Sequence, residues 1–278
     1  MRAFMQVDVF TSRPLFGNPV AVVLDADGLS DAEMQQMAQW TNLSETTFVL
    51  PPEDSAASYR VRIFTPRAEL PFAGHPTLGT AHAALEAGRV TSVNGKLVQQ
   101  CAVGLVEVSI DGAMRSFRLP RYAASPAPDE DRLAAALGGS AILADAPQVL
   151  DVGPRWVIGE VTSAQALSAL APDLAALADY DRAQGTTGLT LFAITPQGIS
   201  VRSFAPADGI AEDPVCGSGN GAVAAYRLLK GQIGDGDTYL ASQGREVGRD
   251  GQVHIRIEGA DVHVGGVCVT CVTGSLSI

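Results

Sequence analysis

The sequence repeats one arrangement of strand, glycine and apolar helix in both of its halves. Residues 75–85 and about 218–230 are each predicted to form a helix whose side chains are small or apolar nearly all round. A glycine precedes and follows each predicted helix at the same spacing: Gly74 and Gly88 in the first half, Gly217 and Gly231 in the second. A helix without a polar face belongs inside a fold, so each half needs a sheet around its helix.

The strand before each helix repeats as well. Arg62-Ile63-Phe64-Thr65-Pro66 matches Arg202-Ser203-Phe204-Ala205-Pro206. This period of about 140 residues is too long for a solenoid. The sequence therefore predicts an α+β fold of two pseudo-symmetric domains, each a curved, mostly antiparallel sheet or barrel around a central helix. We expect the domains at 1–121 and 132–278, with the proline-rich segment 121–131 as a linker and the last strand able to pack back on the N-terminal domain.

Composition limits the partners. With 46% hydrophobic and 18% charged residues the chain can build real cores. A formal net charge of −11 repels nucleic acids and anionic membranes, so neither is an expected partner. The chain has no signal-peptide core and no apolar run of membrane-spanning length, which predicts a cytoplasmic protein with free thiols.

The starts of the two central helices are the expected binding site. A helix N-terminus presents unpaired N–H groups and the positive end of the helix dipole. If both starts face the cleft between the domains, they form a site for the carboxylate of a small substrate despite the negative net charge.

Glu45 is the first candidate for chemistry. It follows a predicted amphipathic helix and opens an apolar strand, a position where a carboxylate can be partly buried. Burial raises the pKa of a carboxyl towards the range of a general base. Position alone leaves open the alternative of an exposed loop glutamate.

The entrance of each central helix carries further candidates. His75, in the first turn of the first helix, can donate to an anion or carry a proton, or can simply be satisfied by its neighbours. Residues 212–221 place an acid, a thiol, a hydroxyl and several glycines at the start of the second helix. Glycines allow the backbone to approach a ligand, and a thiol at a helix start has a lowered pKa. The segment does not fit a nucleotide-binding loop.

Five ordered motifs resemble the phenazine biosynthesis PhzF-like family, a branch of the diaminopimelate epimerase fold. The motifs are Phe16-Gly17-Asn18-Pro19, Asn42-Leu43-Ser44-Glu45-Thr46, the segment 69–77, Glu212-Asp213-Pro214 with Gly217-Ser218, and Ser242-Gln243-Gly244 with Gly248-Arg249. The resemblance runs over most of the chain.

This resemblance implies an isomerase without pyridoxal phosphate, other cofactor or metal, active as a homodimer. Glu45 matches the glutamate that removes a proton from carbon and returns it elsewhere. The family's supporting residues match His75, Asp213 and Ser218. The remaining motif residues are expected to bind the substrate: Asn18, Gly74, Gly217, Gly219 and Gln243.

Two positions depart from related enzymes. The epimerase and racemase relatives carry a cysteine before each helix-opening glycine, whereas this chain has Ala73 and Cys216. A two-thiol racemase is therefore not expected. The phenazine enzyme typically carries threonine at the place of Cys216, which suggests a hybrid in which Glu45 and Cys216 form the acid/base pair of an amino-acid epimerase or racemase. A protein that only binds a carboxylate metabolite is the remaining alternative.

Overall fold

The computed structural model describes residues 1–139 and 142–278 and forms two compact units. The first unit contains Met1–Arg118 together with Gly265–Ile278, and the second contains Leu119–Val264. The C-terminal segment therefore belongs to the first unit. Among the described residues, no helix is both long and apolar enough to cross a membrane.

The first unit is built from eight strands and two helices of the N-terminal segment. They are β1 (Arg2–Val9), β2 (Asn18–Val23), α1 (Asp31–Thr41), β3 (Glu45–Leu50), β4 (Tyr59–Phe64), β5 (Glu69–Leu70), α2 (Gly74–Glu86), β6 (Lys96–Cys101), β7 (Gly104–Asp111) and β8 (Met114–Arg118). Helix α1 begins with the capping box that its sequence predicts, in which Ser30 and Glu33 cap each other's backbone N–H groups.

The described residues of the second unit form eight strands and four helices. The last strand begins in this unit and continues into the first. They are β9 (Ala123–Pro126), α3 (Glu130–Ala136), β10 (Gln148–Asp151), β11 (Arg155–Glu160), α4 (Ala164–Ala169), α5 (Leu174–Gln184), β12 (Gly188–Thr195), β13 (Gly198–Ala205), β14 (Ile210–Asp213), α6 (Gly217–Leu229), β15 (Thr238–Gln243), β16 (Gly251–Glu258) and β17 (Asp261–Leu276). From Gly265 onward, β17 is part of the first unit, where it pairs antiparallel with β1.

The strand pairings of the two units follow the same scheme. In the first unit β1 is antiparallel to β2, β2 is parallel to β3, β3 is antiparallel to β4, and β4 is parallel to β6. In the second unit the corresponding pairs are β10 with β11, β11 with β12, β12 with β13, and β13 with β15, in the same orientations. The internal duplication inferred from the sequence is thus present in the topology.

Each unit buries one central helix. Most residues of α2 and of α6 are buried, and α2 packs against β1, β2, β3, β6, β7 and β8 of its own unit. Two threonines of α2 are hydrogen-bonded to neighbouring strands. Thr80 Oγ1 donates to Thr47 Oγ1 at 2.8 Å, and Thr77 Oγ1 accepts from Gln99 Nε2 at 2.9 Å. Satisfied hydroxyls avoid the cost of buried unpaired polar atoms, so α2 can be enclosed.

The predicted linker at 121–131 is wrong. Ala123–Pro126 forms β9, which pairs antiparallel with β10, and α3 begins at Glu130. Pro126 terminates the strand, where the missing N–H removes no more than a last ladder hydrogen bond. A proline-rich composition therefore marked the end of a short exposed strand and not a flexible connection.

Replacing Gly79 by alanine should destabilise the first unit. Gly79 lies in α2, and a Cβ there would meet Val20 Cγ1 at 2.4 Å and Val9 Cγ2 at 3.0 Å. Alanine is the better helix former by about 1 kcal/mol, but overpacking costs about 1–3 kcal/mol, so we expect the free energy of unfolding to fall. Urea unfolding of both proteins measures it. Gly234→Ala is the control because its Cβ meets nothing within 4 Å; a Gly79→Ala protein as stable as wild type would contradict the close packing.

Candidate active site

Glu45 lies where α1 ends and β3 begins. Asn42 is the C-cap of α1: its φ of 52° turns the chain, while its N–H still donates to Ala38 O. Glu45 is then the first residue of β3 and pairs with Val20 of β2. Its side chain is 14% exposed, so the alternative of an exposed loop glutamate does not hold.

His75 contacts this carboxyl. The distance between Glu45 Oε2 and His75 Nε2 is 3.4 Å, and the histidine is 6% exposed. His75 is the second residue of α2, so the start of the central helix fixes the imidazole beside the glutamate. Gly74, the first residue, is required by packing, because a Cβ there would lie 2.7 Å from Phe117 Cζ.

The environment of Glu45 makes it a proton carrier at neutral pH. Burial disfavours the charged carboxylate and raises the pKa of Glu45 from 4.5 to about 7. Oε2 accepts no hydrogen bond from any described residue, and the hydrogen bond that Ser44 makes to the carboxyl lowers the pKa by less than burial raises it. A carboxyl with a pKa near 7 can take a proton as a base and give it back as an acid.

The second unit places a thiol at the corresponding helix start. Cys216 is the N-cap of α6, as Ala73 is the N-cap of α2. Its sulfur accepts from Gly219 N at 3.2 Å and lies 3.6 Å from Ser218 Oγ. Cys216 is 4% exposed. A backbone N–H donated to the sulfur at a helix start favours the thiolate, and burial of the sulfur opposes it.

Gln243 ties the loop before α6 to β15. Its Oε1 accepts from Cys216 N at 3.1 Å and from Asn220 Nδ2 at 2.8 Å, and its Nε2 donates to Asp213 O at 2.9 Å. These bonds make Gln243 a support of the loop; contact with substrate stays a prediction. Asp213 Oδ1 accepts from Val215 N at 3.0 Å, which shapes the turn that leads to Cys216.

The glycines of the second helix start are dictated by space. A Cβ on Gly219 would meet Thr190 Oγ1 at 2.6 Å and Ser203 Oγ at 3.0 Å. Gly217 is the buried first residue of α6. Asn18 is the first residue of β2, pairs with Val9 and is 1% exposed, and it lies in the first unit.

The predicted site residues thus form two groups. Glu45, Gly74 and His75 come together in the first unit, and Asp213, Cys216, Gly217, Ser218, Gly219 and Gln243 in the second. The sequence analysis missed Trp156 and Asn220. Trp156 Nε1 donates to Ser218 Oγ at 3.0 Å, and Asn220 Nδ2 donates to Cys216 O at 2.8 Å. An asparagine one turn into an otherwise apolar helix was a usable signal for Asn220, whereas nothing near Trp156 in the sequence marks it.

Metal ligands do not gather in the described part of the chain. No three His, Cys, Asp or Glu side chains among residues 1–139 and 142–278 come close enough to hold an ion. The four cysteines are free. Cys268 is buried in β17, where burial raises the pKa of its thiol to about 12.

The duplicated α+β fold, with ionisable groups at the starts of its buried helices, defines the class of diaminopimelate-epimerase-like isomerases and epimerases. The match is specific at the family level. The chain belongs to the phenazine biosynthesis-like (PhzC-PhzF) family, whose model matches residues 7–274. The family resemblance and the fold class predicted from the sequence are therefore confirmed.

Known relatives extend over nearly the whole chain. Antisense-enhancing sequence 1 of Schizosaccharomyces pombe is 39% identical, with 98% of this chain and 97% of that protein aligned. Trans-2,3-dihydro-3-hydroxyanthranilate isomerase of Pseudomonas aeruginosa is 38% identical, with 97% and 95% aligned. The crystal structure of a PhzF-family phenazine biosynthesis protein from Bacillus anthracis shares the fold with a TM-score of 0.86 at 23% identity, covering 100% and 99% of the two chains.

These relatives identify the chain as a PhzF-like isomerase, an enzyme. The alternative of a protein that only binds a carboxylate metabolite is accordingly not supported. The burial of Glu45 agrees, because a purely sensing protein has no need of a carboxyl with a pKa near 7.

The raised pKa of Glu45 should make folding stability depend on pH. The folded state binds this proton more tightly than the unfolded state, so stability falls as the pH rises from 4.5 through about 7. The full loss is about 3 kcal/mol. Glu45→Gln carries no charge and should lack this loss, so the difference between variant and wild type should grow across that range in urea unfolding. Glu130→Gln, an exposed position in α3, is the control; a pH-independent difference for Glu45→Gln would contradict the shift.

Proposed function

We propose that this protein is a cofactor-independent isomerase that moves a proton between positions of a small carboxylate-bearing substrate, with Glu45 as the base and then the acid. The observation that carries the proposal is the buried Glu45 carboxyl, with a pKa of about 7, at 3.4 Å from His75. A group whose pKa lies near the working pH transfers protons most effectively.

The proposed reaction is a proton shift with no net loss or gain of atoms. Glu45 takes a proton from a carbon next to a double bond or a carboxylate, and the electron pair of the broken C–H bond spreads into that system. Glu45 then returns the proton to another carbon, so the double bond changes position. His75 stabilises the glutamate and holds the proton between the two steps.

The starts of α2 and α6 are the proposed binding sites for the substrate carboxylate. Ala73 has no side-chain group that could cap α2, so the first N–H groups of that helix remain available to an anion. Fixed N–H donors explain how a chain with a net charge of −11 can hold a carboxylate. We propose that Asn18, Gly74, Gly217 and Gly219 are among the contacts of the substrate.

The class of substrate follows from the relative in Pseudomonas aeruginosa. Its name describes an isomerase of trans-2,3-dihydro-3-hydroxyanthranilate, an unsaturated cyclic amino acid. We propose a small unsaturated or amino acid of this class for the present enzyme. The thiol of Cys216, in place of the threonine of the phenazine enzyme, argues for a different member of the class.

A second candidate is an epimerase that uses Glu45 and Cys216 as its acid/base pair. The observation that favours it is the position of Cys216 as N-cap of α6, with its sulfur accepting from Gly219 N at 3.2 Å. In this reaction Glu45 removes a proton from one face of a carbon and Cys216 supplies one to the opposite face. The two candidates differ in the product, a shifted double bond or an inverted stereocentre.

Two further expectations remain, the first from the family resemblance and the second from the sequence pattern. We propose that the enzyme acts as a homodimer and that it works in the cytoplasm. Neither bears on the residues that transfer the proton.

Glu45→Gln should abolish proton exchange. In heavy water, a panel of small unsaturated and amino acids that includes trans-2,3-dihydro-3-hydroxyanthranilate should contain at least one that takes up deuterium with the wild type. We expect Glu45→Gln to lower this rate by about 10²–10⁴-fold, because the general base is gone. The wild-type rate should fall as the pH drops below about 7, since Glu45 must be ionised to accept a proton.

The exposed variant Glu130→Gln should exchange at the wild-type rate in the same assay. Undiminished deuterium uptake by Glu45→Gln would remove Glu45 from the mechanism.

Cys216→Ser separates the two candidates. Serine keeps an N-cap acceptor for α6, so the helix start should persist while the thiol is lost. If Cys216 is the second acid, formation of the inverted stereoisomer should drop by about 100-fold or more, while loss of the substrate proton to Glu45 continues. Chiral chromatography combined with deuterium analysis measures both steps. Cys101→Ser is the control, and normal turnover by Cys216→Ser would exclude the epimerase.

A further inference from the structure

Ser218 lies between a tryptophan and the thiol at the start of α6. Trp156 Nε1 is 3.0 Å from Ser218 Oγ, and Cys216 Sγ is 3.6 Å from the same oxygen. The three side chains therefore form a chain of contacts that ends at the sulfur. Neither the fold nor the family motifs call for the indole in this position.

The direction of the hydrogen bond between Trp156 and Ser218 is fixed by chemistry, while the contact between Ser218 and Cys216 can run either way. An indole N–H can only donate, so Ser218 Oγ accepts from Trp156. The hydroxyl proton of Ser218 must then point elsewhere, and Cys216 Sγ is an acceptor within reach. The sulfur also receives the backbone N–H of Gly219 at 3.2 Å.

Trp156 cannot easily exchange this bond for another. It is 3% exposed and pairs with Gly188 of β12. A Cβ on Gly188 would lie 2.9 Å from Trp156 Cζ3, so the indole lies directly against the neighbouring strand. A buried indole N–H without an acceptor is unfavourable, which holds the bond to Ser218 in place.

We propose that Trp156 is a positioning residue for Cys216: by donating to Ser218 Oγ, it directs the Ser218 hydroxyl proton at the sulfur and so favours the thiolate. The use of that thiolate as an acid/base group rests on the proposed function. The effect on the thiol itself does not, because it needs no substrate.

Three side chains near the sulfur carry no charge: Thr190 and Ser203, which line the Gly219 side, and Asn220. Glu212 and Asp213 are ionisable groups of the same loop; Glu212 pairs with Arg202, and Asp213 Oδ1 accepts from Val215 N. A change in the titration of Cys216 after a substitution at position 156 therefore reports on the hydrogen bonds from Ser218.

The test is a titration of the Cys216 thiol by its ultraviolet thiolate absorbance, with Cys216→Ser to identify the step. Trp156→Phe keeps an aromatic ring but removes the N–H, and should raise the thiol pKa by about one unit, as expected for a weakened hydrogen bond to a charged group. Ser218→Ala should raise it at least as much. Adding Trp156→Phe to Ser218→Ala should change nothing further, which a general loosening of the core would not reproduce.

Trp40 supplies a matched control. It is the other of the two tryptophans and is 75% exposed, so Trp40→Phe should leave the titration unchanged. If Trp156→Phe folds poorly, the indole N–H resonance of Trp156 in Ser218→Ala gives a second measurement, since it should shift and exchange faster once its acceptor is gone. An unchanged thiol pKa in Trp156→Phe, an equal shift in the Ser218→Ala background, or an unmoved indole resonance would overturn the proposal.

The outcome is distinguishable from failure of the proposed function. If Trp156→Phe leaves the thiol pKa of Cys216 unchanged while Glu45-dependent deuterium uptake persists, only the role of Trp156 is rejected. A thiol shift as expected without any exchange would reject the isomerase and leave the hydrogen-bond chain standing.

Discussion

The enclosure of one helix by the sheet of each unit is the constraint on which the other features depend. Helices α2 and α6 are buried along most of their length, which their small side chains permit. Gly79 lets α2 approach β1 and β2 closely, and its threonines find partners on β3 and β6. A bulkier or less satisfied helix would hold the strands apart, and the groups at its first turn would lose their positions.

The chemistry follows from where these helices begin. The first turn of α2 places His75 beside the start of β3, where Glu45 is largely buried. The first turn of α6 instead brings Cys216, Ser218 and Gly219 together, while Gln243 anchors the preceding loop. One duplicated scaffold thus presents a carboxyl with an imidazole in one unit and a thiol with a hydroxyl in the other.

Much of the fold could be predicted from the sequence, and the reasons are local. The capping box at Ser30, the glycines around each central helix and the absence of a polar helix face are patterns within a few residues. The prediction of a linker at 121–131 was wrong because prolines are common both in linkers and at strand ends. Helices α4 and α5 were not anticipated, although Ser163 and Asp173 cap their first turns and Gly185 ends α5.

The site was predictable only in part. Glu45, His75 and Cys216 lie next to recognisable helix boundaries, which made them candidates, and the family motifs singled out Glu45. The bond from Trp156 to Ser218 joins residues 62 positions apart. Such contacts depend on the packing of β11 against the start of α6, which no local pattern encodes. The pKa of Glu45 likewise depends on burial by the rest of its unit.

The pairing of the first strand with the last has a consequence for synthesis. Residues Arg2 to Val9 form their ladder with Leu276 to Cys268, so the first unit lacks a strand until these late residues have been synthesised. The second unit, which is continuous in the chain, can complete itself earlier. During translation the nascent β1 therefore has an open edge, and an open edge invites pairing with other chains. The ladder between β1 and β17 therefore joins residues that are synthesised far apart in time, and it closes the first unit late.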